Sequence, residues 1–252
     1  MVLLVMSDPT PAVIYWGDEA TIVYNEPYTQ LIGQKHPSLQ GQDPKIGFAE
    51  IWDHFEALLA RQRETGETTV EANAHLMLFR HGFLEETYFS WKFVPVIGPE
   101  GWVVGSHATV MEVTREVISD RRTAAVRALS HRLSEATTIH ALWNGIIDGL
   151  EKAEKDVPLA MLYSVTSTTP ATTKSSSPMF APRKKNALDT TPPLTCLLEA
   201  FVGIPEGNAL ATINLQSGSD PAGILPHMVA AVEERGPVVV PIGPKTQELL
   251  KG

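Results

Sequence analysis

The sequence predicts an α+β protein: an antiparallel sheet with flanking helices, a helical connector, then a second, incomplete α+β domain. Three observations predict it. Residues 85–116, EETYFSWKFVPVIGPEGWVVGSHATVMEVTRE, hold two β-rich runs joined by a turn-forming cluster, and the second run passes directly into a charged helical stretch. That stretch continues without Pro or Gly to about residue 136. After it come helix-spaced apolar residues and two short apolar runs of strand length.

In the first run, Tyr88, Ser90, Lys92 and Val94 alternate with Phe89, Trp91 and Phe93, a period of two that fits one half-buried face of a strand. In the second, Val103, Gly105, His107, Thr109 and Met111 alternate with Val104, Ser106, Ala108 and Val110. Ile97-Gly98-Pro99-Glu100-Gly101 supplies the turn. A hairpin whose last strand feeds a helix lets a small domain pass strain to whatever follows.

Pro95 after the first strand, Gly101 before the second, the mid-strand Gly105 and the closing triplet Glu112-Val113-Thr114 resemble the C-terminal half of a PAS domain. The family has Asp where Glu112 stands, so the charge is kept on a side chain one methylene longer. Residues 13–37, VIYWGDEATIVYNEPYTQLIGQKHP, look like the opening PAS hairpin and first helices. Residues 50–67, EIWDHFEALLARQRETGE, look like the long PAS helix ending at Thr-Gly-Glu. The resemblance implies a PAS domain over residues 12–115, preceded by an N-terminal segment at 1–11. It also implies a signal relay at Glu112, Val113 and Thr114.

Size and composition bound the rest. The 252 residues allow one large or two modest domains, and 43% hydrophobic with 19% charged residues is a globular balance. A net charge of −9, with no basic cluster beyond Arg183-Lys184-Lys185, disfavours nucleic acid as a partner. The opening MVLLVM is too short for a membrane span and lacks a signal peptide's charged start, so no membrane partner is expected. The lone Cys196 excludes an internal disulfide framework and points to a reducing, cytoplasmic setting.

Residues 116–136 are read as a connector helix. Its apolar stripe of Val117, Ile118, Ala125, Leu129 and Leu133 is too weak for an autonomous zipper, and dimerises only with help from its neighbours. Thr137-Thr138 caps a further helix carrying Ile139, Leu142, Trp143, Ile146, Ile147 and Leu150. Pro158 and the strand LAMLYSV follow. This order resembles the opening of a GAF domain, which hybrid histidine kinases often place after such a PAS domain. Residues 166–193 are rich in Ser, Thr and Pro and poor in core formers, which predicts a disordered insertion between two strands. LTCLLEAFVGI is the second strand, residues 205–207 a turn, residues 223–235 a helix, and VVVPI another strand. Residues 137–252 thus read as a partial GAF-like domain.

Candidate chemistry is sparse. His54 lies in the long helix where some haem-binding PAS domains place a ligand, but its ordinary reading is a polar flank residue. His75 and His81 would share a face only on an unbroken strand, and His81-Gly82 looks like a turn. No Cys or acidic residue stands at zinc-ligand spacing, so no metal is expected. Flavin-adduct chemistry needs a cysteine that the PAS half lacks, and Cys196 reads as core; no cofactor, haem or flavin, is expected. Ser130-His131 lacks the acidic neighbour and the Arg-Thr-Pro of a phosphoacceptor helix, and no nucleotide loop is present. No enzyme activity is therefore expected of this chain.

The aromatics cluster in the PAS half. They either fill a small core or line a cleft between the sheet and the 50–63 helix for a small apolar or aromatic ligand, with Trp52, Phe55 and Trp91 as candidates. The function expected from the resemblance is a sensory and signal-relay input region of a hybrid histidine-kinase-like protein, fungal or otherwise eukaryotic. The alternative is a dimerisation module without ligand, with the homodimer formed through the PAS domain and connector helix.

Overall fold

A computed structural model describes residues 2–167, 194–203, 212–215, 225–234 and 238. The chain divides into two compact units, residues 1–121 and 122–252. The first opens with a short helix α1 (Val2–Met6), then strands β1 (Ala12–Trp16) and β2 (Thr21–Tyr24). Three helices follow: α2 (Thr29–Ile32), α3 (Pro44–Gly47) and α4 (Trp52–Thr65). Strands β3 (Thr69–Phe79), β4 (Leu84–Ile97) and β5 (Val103–Glu112) complete one antiparallel sheet in the order β2-β1-β5-β4-β3. The α+β architecture expected from the sequence is present, and its strand order with helices between β2 and β3 is PAS-like.

Alternation in the hairpin translates into packing. Phe89, Trp91 and Phe93 are buried on β4 beside Ala108 of β5, while Lys92 is exposed. Against them α4 sets Phe55, Leu59 and Gln62, spaced at helical period. Gln62 is buried but not idle: its amide donates to the Phe93 carbonyl at 3.0 Å, tying helix to strand. On the opposite sheet face Val5 of α1 packs with Ala12 and Ile14.

One detail departs from the sequence reading. Pro95 lies inside β4, opposite Ser106, and the strand continues to Ile97. The pairing of β3 with β4 stops at Phe93, so at Pro95 the strand has a neighbour on one side only, the setting that tolerates a missing N–H. Gly105 answers a close approach: a Cβ there would lie 2.6 Å from the Tyr15 carbonyl oxygen of β1. The turn itself closes as expected, through the Gly98 N–H to the Trp102 carbonyl.

Helix α5 (Thr114–Glu135) contains the unit boundary. The second unit continues with α6 (Ile139–Glu151), capped by the Thr138 hydroxyl, which accepts from the Ala141 N–H at 3.1 Å. Gly149 of α6 lies directly against Leu129 of α5, where a Cβ would come within 2.6 Å of Leu129 Cδ1. Part of the connector's apolar stripe is therefore used inside one chain. Strands β6 (Ala160–Ser167), β7 (Leu194–Val202) and β8 (Thr212–Asn214) form a second antiparallel sheet, and α7 (Leu225–Glu234) follows.

The expected insertion needs one correction. Thr166 and Ser167 belong to β6, pairing with Thr195 and Leu194, because a β-branched residue beside a ready partner strand extends the ladder whatever its composition suggests. The remainder of the insertion, the 205–207 turn and nearly all of VVVPI lie outside the described residues. Cys196 is buried with Ile213 and Leu215, as a core residue.

Candidate functional site

Between sheet and helices the first unit holds a cavity of about 30 Å³. Tyr15 from β1 and Phe89, Trp91 and Phe93 from β4 form its floor, and Leu31, Ile32, Phe48, Ile51 and Phe55 close it from above. Phe55 and Trp91 meet there with ring centroids 5.4 Å apart, inclined by 50°. No charged side chain lines the space. Its polar atoms are few. Burial pushes the Tyr15 hydroxyl up to about 12, a shift that the neighbouring Tyr28 hydroxyl opposes. Burial likewise raises Tyr28 well above the ordinary tyrosine value.

Of the three candidate cleft residues the structure brings two together and sets one apart. Trp52 lies instead in a surface hollow of about 330 Å³ with Asp18, Asp43, Lys45, Glu56 and Arg63, under the Lys45 ammonium at 5.6 Å from its ring centre. It shares the helical stripe of Phe55 and Leu59 and packs against the edge of the core, but it does not line the cavity. His54 stays on the helix flank, edge-on to Trp91 and Phe55, with Nε2 at 3.5 Å from a Glu71 oxygen. His81 falls in the β3–β4 turn, off the strand that carries His75, and its Nδ1 meets Glu85 at 2.7 Å. His131 is exposed on α5.

The Glu112-Val113-Thr114 triplet is tightly held. Arg80, at the end of β3 and only 8% exposed, reaches Glu112 in bidentate fashion, Nη1 to Oε2 at 2.7 Å and Nη2 to Oε1 at 2.8 Å. The longer carboxylate thus keeps full fork geometry. Arg80 also donates to the Leu31 carbonyl at 3.0 Å and to Glu85 at 3.1 Å. Thr114 donates to Glu112 at 2.8 Å and accepts from the Tyr88 N–H at 3.0 Å, while the Val113 N–H reaches the Tyr88 carbonyl at 2.8 Å. Burial acts to raise the Glu112 carboxyl, but the Arg80 and Thr114 hydrogen bonds outweigh it and hold the group below the usual carboxylate range. Arg121, two turns into α5, pairs with Glu86 at 2.5 Å, fastening the helix to β4 a second time.

Arg80 is the residue that sequence reasoning missed. Its only local signal is an arginine closing an apolar strand, LMLFR, and its Leu31 and Glu112 partners stand 49 and 32 positions away. Leu31 and Ile32 were equally silent, being two ordinary apolar residues in a four-residue helix.

No family model matches the chain, and no curated protein matches it. Among solved structures it is similar to the PAS domain of a protein from Colwellia psychrerythraea, at 14% identity and a TM-score of 0.36, covering 45% of this chain and 93% of that one. The PAS domain of Bordetella pertussis BvgS is similar at 18% identity and a TM-score of 0.39, covering 50% and 93%. A sensory box sensor histidine kinase from Vibrio cholerae is similar at 18% and 0.34, covering 44% and 87%. All three TM-scores lie below 0.5, so the assignment rests on strand order and packing: the five-stranded unit of this chain has a PAS-like fold.

Proposed function

We propose that this chain is a sensory input module in which occupancy of the cavity changes the root of α5. The observation that carries this reading is Arg80, which binds a carbonyl of the cavity wall, that of Leu31, and the carboxylate of Glu112 at the end of β5. At about 30 Å³ the cavity is far smaller than the roughly 150 Å³ that accepts a benzene ring, so a small apolar or aromatic ligand enters only by moving a wall. The floor is locked by strand ladders on both sides of β4, whereas α2 is a single turn. Displacing Leu31 removes one acceptor from Arg80 and alters its hold on Glu112. The relay is a population shift: the ligand binds the conformation with the wall displaced better than the closed one.

In this reading the chain performs no chemistry and carries no haem or flavin. The second unit is GAF-like, and the parent protein is a cytoplasmic signalling protein of the hybrid histidine-kinase type. Hydrogen exchange of the α5 amides in the full chain, with and without quinoline as a probe, tests the relay. Quinoline should change exchange at residues 114–121 in the wild type and leave Glu112→Ala unchanged. An equal response in both proteins overturns the relay.

A second reading, dimerisation without a ligand, draws on α1. Leu3 and Leu4 are 84% and 72% exposed beside the buried Val5, an apolar surface that a second copy would cover. A full-length dimer that binds no probe and becomes monomeric with Leu3→Asp/Leu4→Asp supports it.

A further inference from the structure

We infer that the ligand of this cavity is a small, flat, uncharged molecule bearing a hydrogen-bond acceptor, and that Trp91 reads that acceptor. This rests on the ligand reading above and adds the chemistry of the ligand. Trp91 sits in the middle of β4, is 3% exposed, and forms part of the cavity floor facing Phe55. An indole nitrogen is a donor only, and a buried one ordinarily finds a partner. The Trp91 Nε1 atom is buried and has no acceptor among the described residues.

The surroundings offer it none. No acceptor among the described residues lies within hydrogen-bond reach of it, and His54, edge-on to the indole at 5.6 Å between centroids, sets its Nε2 near Glu71. The rest of the lining is hydrocarbon, dominated by Phe55, Phe89 and Phe93, which suits an aromatic face. A pure hydrocarbon would fill the space and leave the donor unpaired. A ring nitrogen, ether or carbonyl oxygen at the same place would satisfy it. A carboxylate is disfavoured, because no cationic side chain lines the cavity to offset its desolvation.

Naphthalene and quinoline share a shape, but only quinoline has an acceptor, and its ring nitrogen must give up water to bind. With both titrated into the full chain at neutral pH, the quinoline-to-naphthalene affinity ratio should be about tenfold higher in the wild type than in Trp91→Phe, the value of one neutral hydrogen bond once the desolvation cost common to both proteins cancels. Naphthalene affinity itself should be nearly kept in Trp91→Phe. Independently of that variant, quinoline should move one of the five tryptophan indole N–H resonances of the wild type downfield, and naphthalene should not. An unchanged quinoline-to-naphthalene ratio in Trp91→Phe, with no such resonance shift, overturns the acceptor inference and leaves the ligand reading standing. Binding of neither probe overturns the ligand reading and the inference with it.

Discussion

The two ends of the β4–β5 hairpin are built on opposite principles. At the turn end, residues 97–103 are closed by backbone hydrogen bonds, and Ile97 and Trp102 project at 53% and 73% exposure. At the root, one buried guanidinium gathers Leu31, Glu85 and Glu112, and the Thr114 hydroxyl stitches the first residue of α5 to β4. The turn end depends on local geometry and tolerates its side chains. The root depends on three charged side chains and the neutral groups they hold, brought from separate segments, so that is where a change in one segment reaches another. The ligand response proposed above therefore belongs at the root.

Removing the guanidinium breaks this contrast most severely. Arg80→Ala should destabilise the chain by about 2–4 kcal/mol in urea denaturation, since it strands the part-buried Glu112 and Glu85 carboxylates and leaves the Leu31 carbonyl without its donor. A loss as small as that of a surface substitution would show the root to be no stronger than the turn.

Acid titration sharpens the contrast at intermediate cost. Glu112 has its folded value held below the ordinary 4.5, so the unfolded state binds the proton more readily. Its contribution is fully present above about pH 4.5 and is lost as pH falls through the folded value. Glu50 and Asp8 are lowered as well, so the wild-type acid limb is a sum. Subtracting the stability profile of Glu112→Gln from that of the wild type isolates one group: the difference should shrink on acidification and be flat above neutrality. A pH-independent difference would mean that Arg80 does not hold the carboxylate in its charged form.

The smallest effect is expected at the turn. Trp102→Ala should change stability by no more than about 0.5 kcal/mol, as exposed positions without partners do. A larger loss would mean that the turn end packs against something and is not the passive end.

Much of this architecture was legible in the residues themselves. The alternation of Phe89, Trp91 and Phe93 with Ser90 and Lys92 announced which face of β4 is buried, because strand side chains alternate whatever surrounds them. Thr138 marked the start of α6, because a capping oxygen and a run of helical spacing are neighbours in the chain. Phe55 and Trp91 line the cavity and Trp52 the surface hollow, a division that residue type and helical spacing do not make.

The sequence alone was enough for the α+β class, the hairpin, the connector helix and the Glu112-Val113-Thr114 junction, since each follows from patterns a few residues long. Tertiary structure alone decided that Arg80 joins Leu31 to Glu112, that the cavity is closed to about 30 Å³, and that the Trp91 N–H faces no acceptor among the described residues. Those facts depend on atoms tens of positions apart meeting within 3 Å or failing to, and no local pattern of residue types specifies such distances.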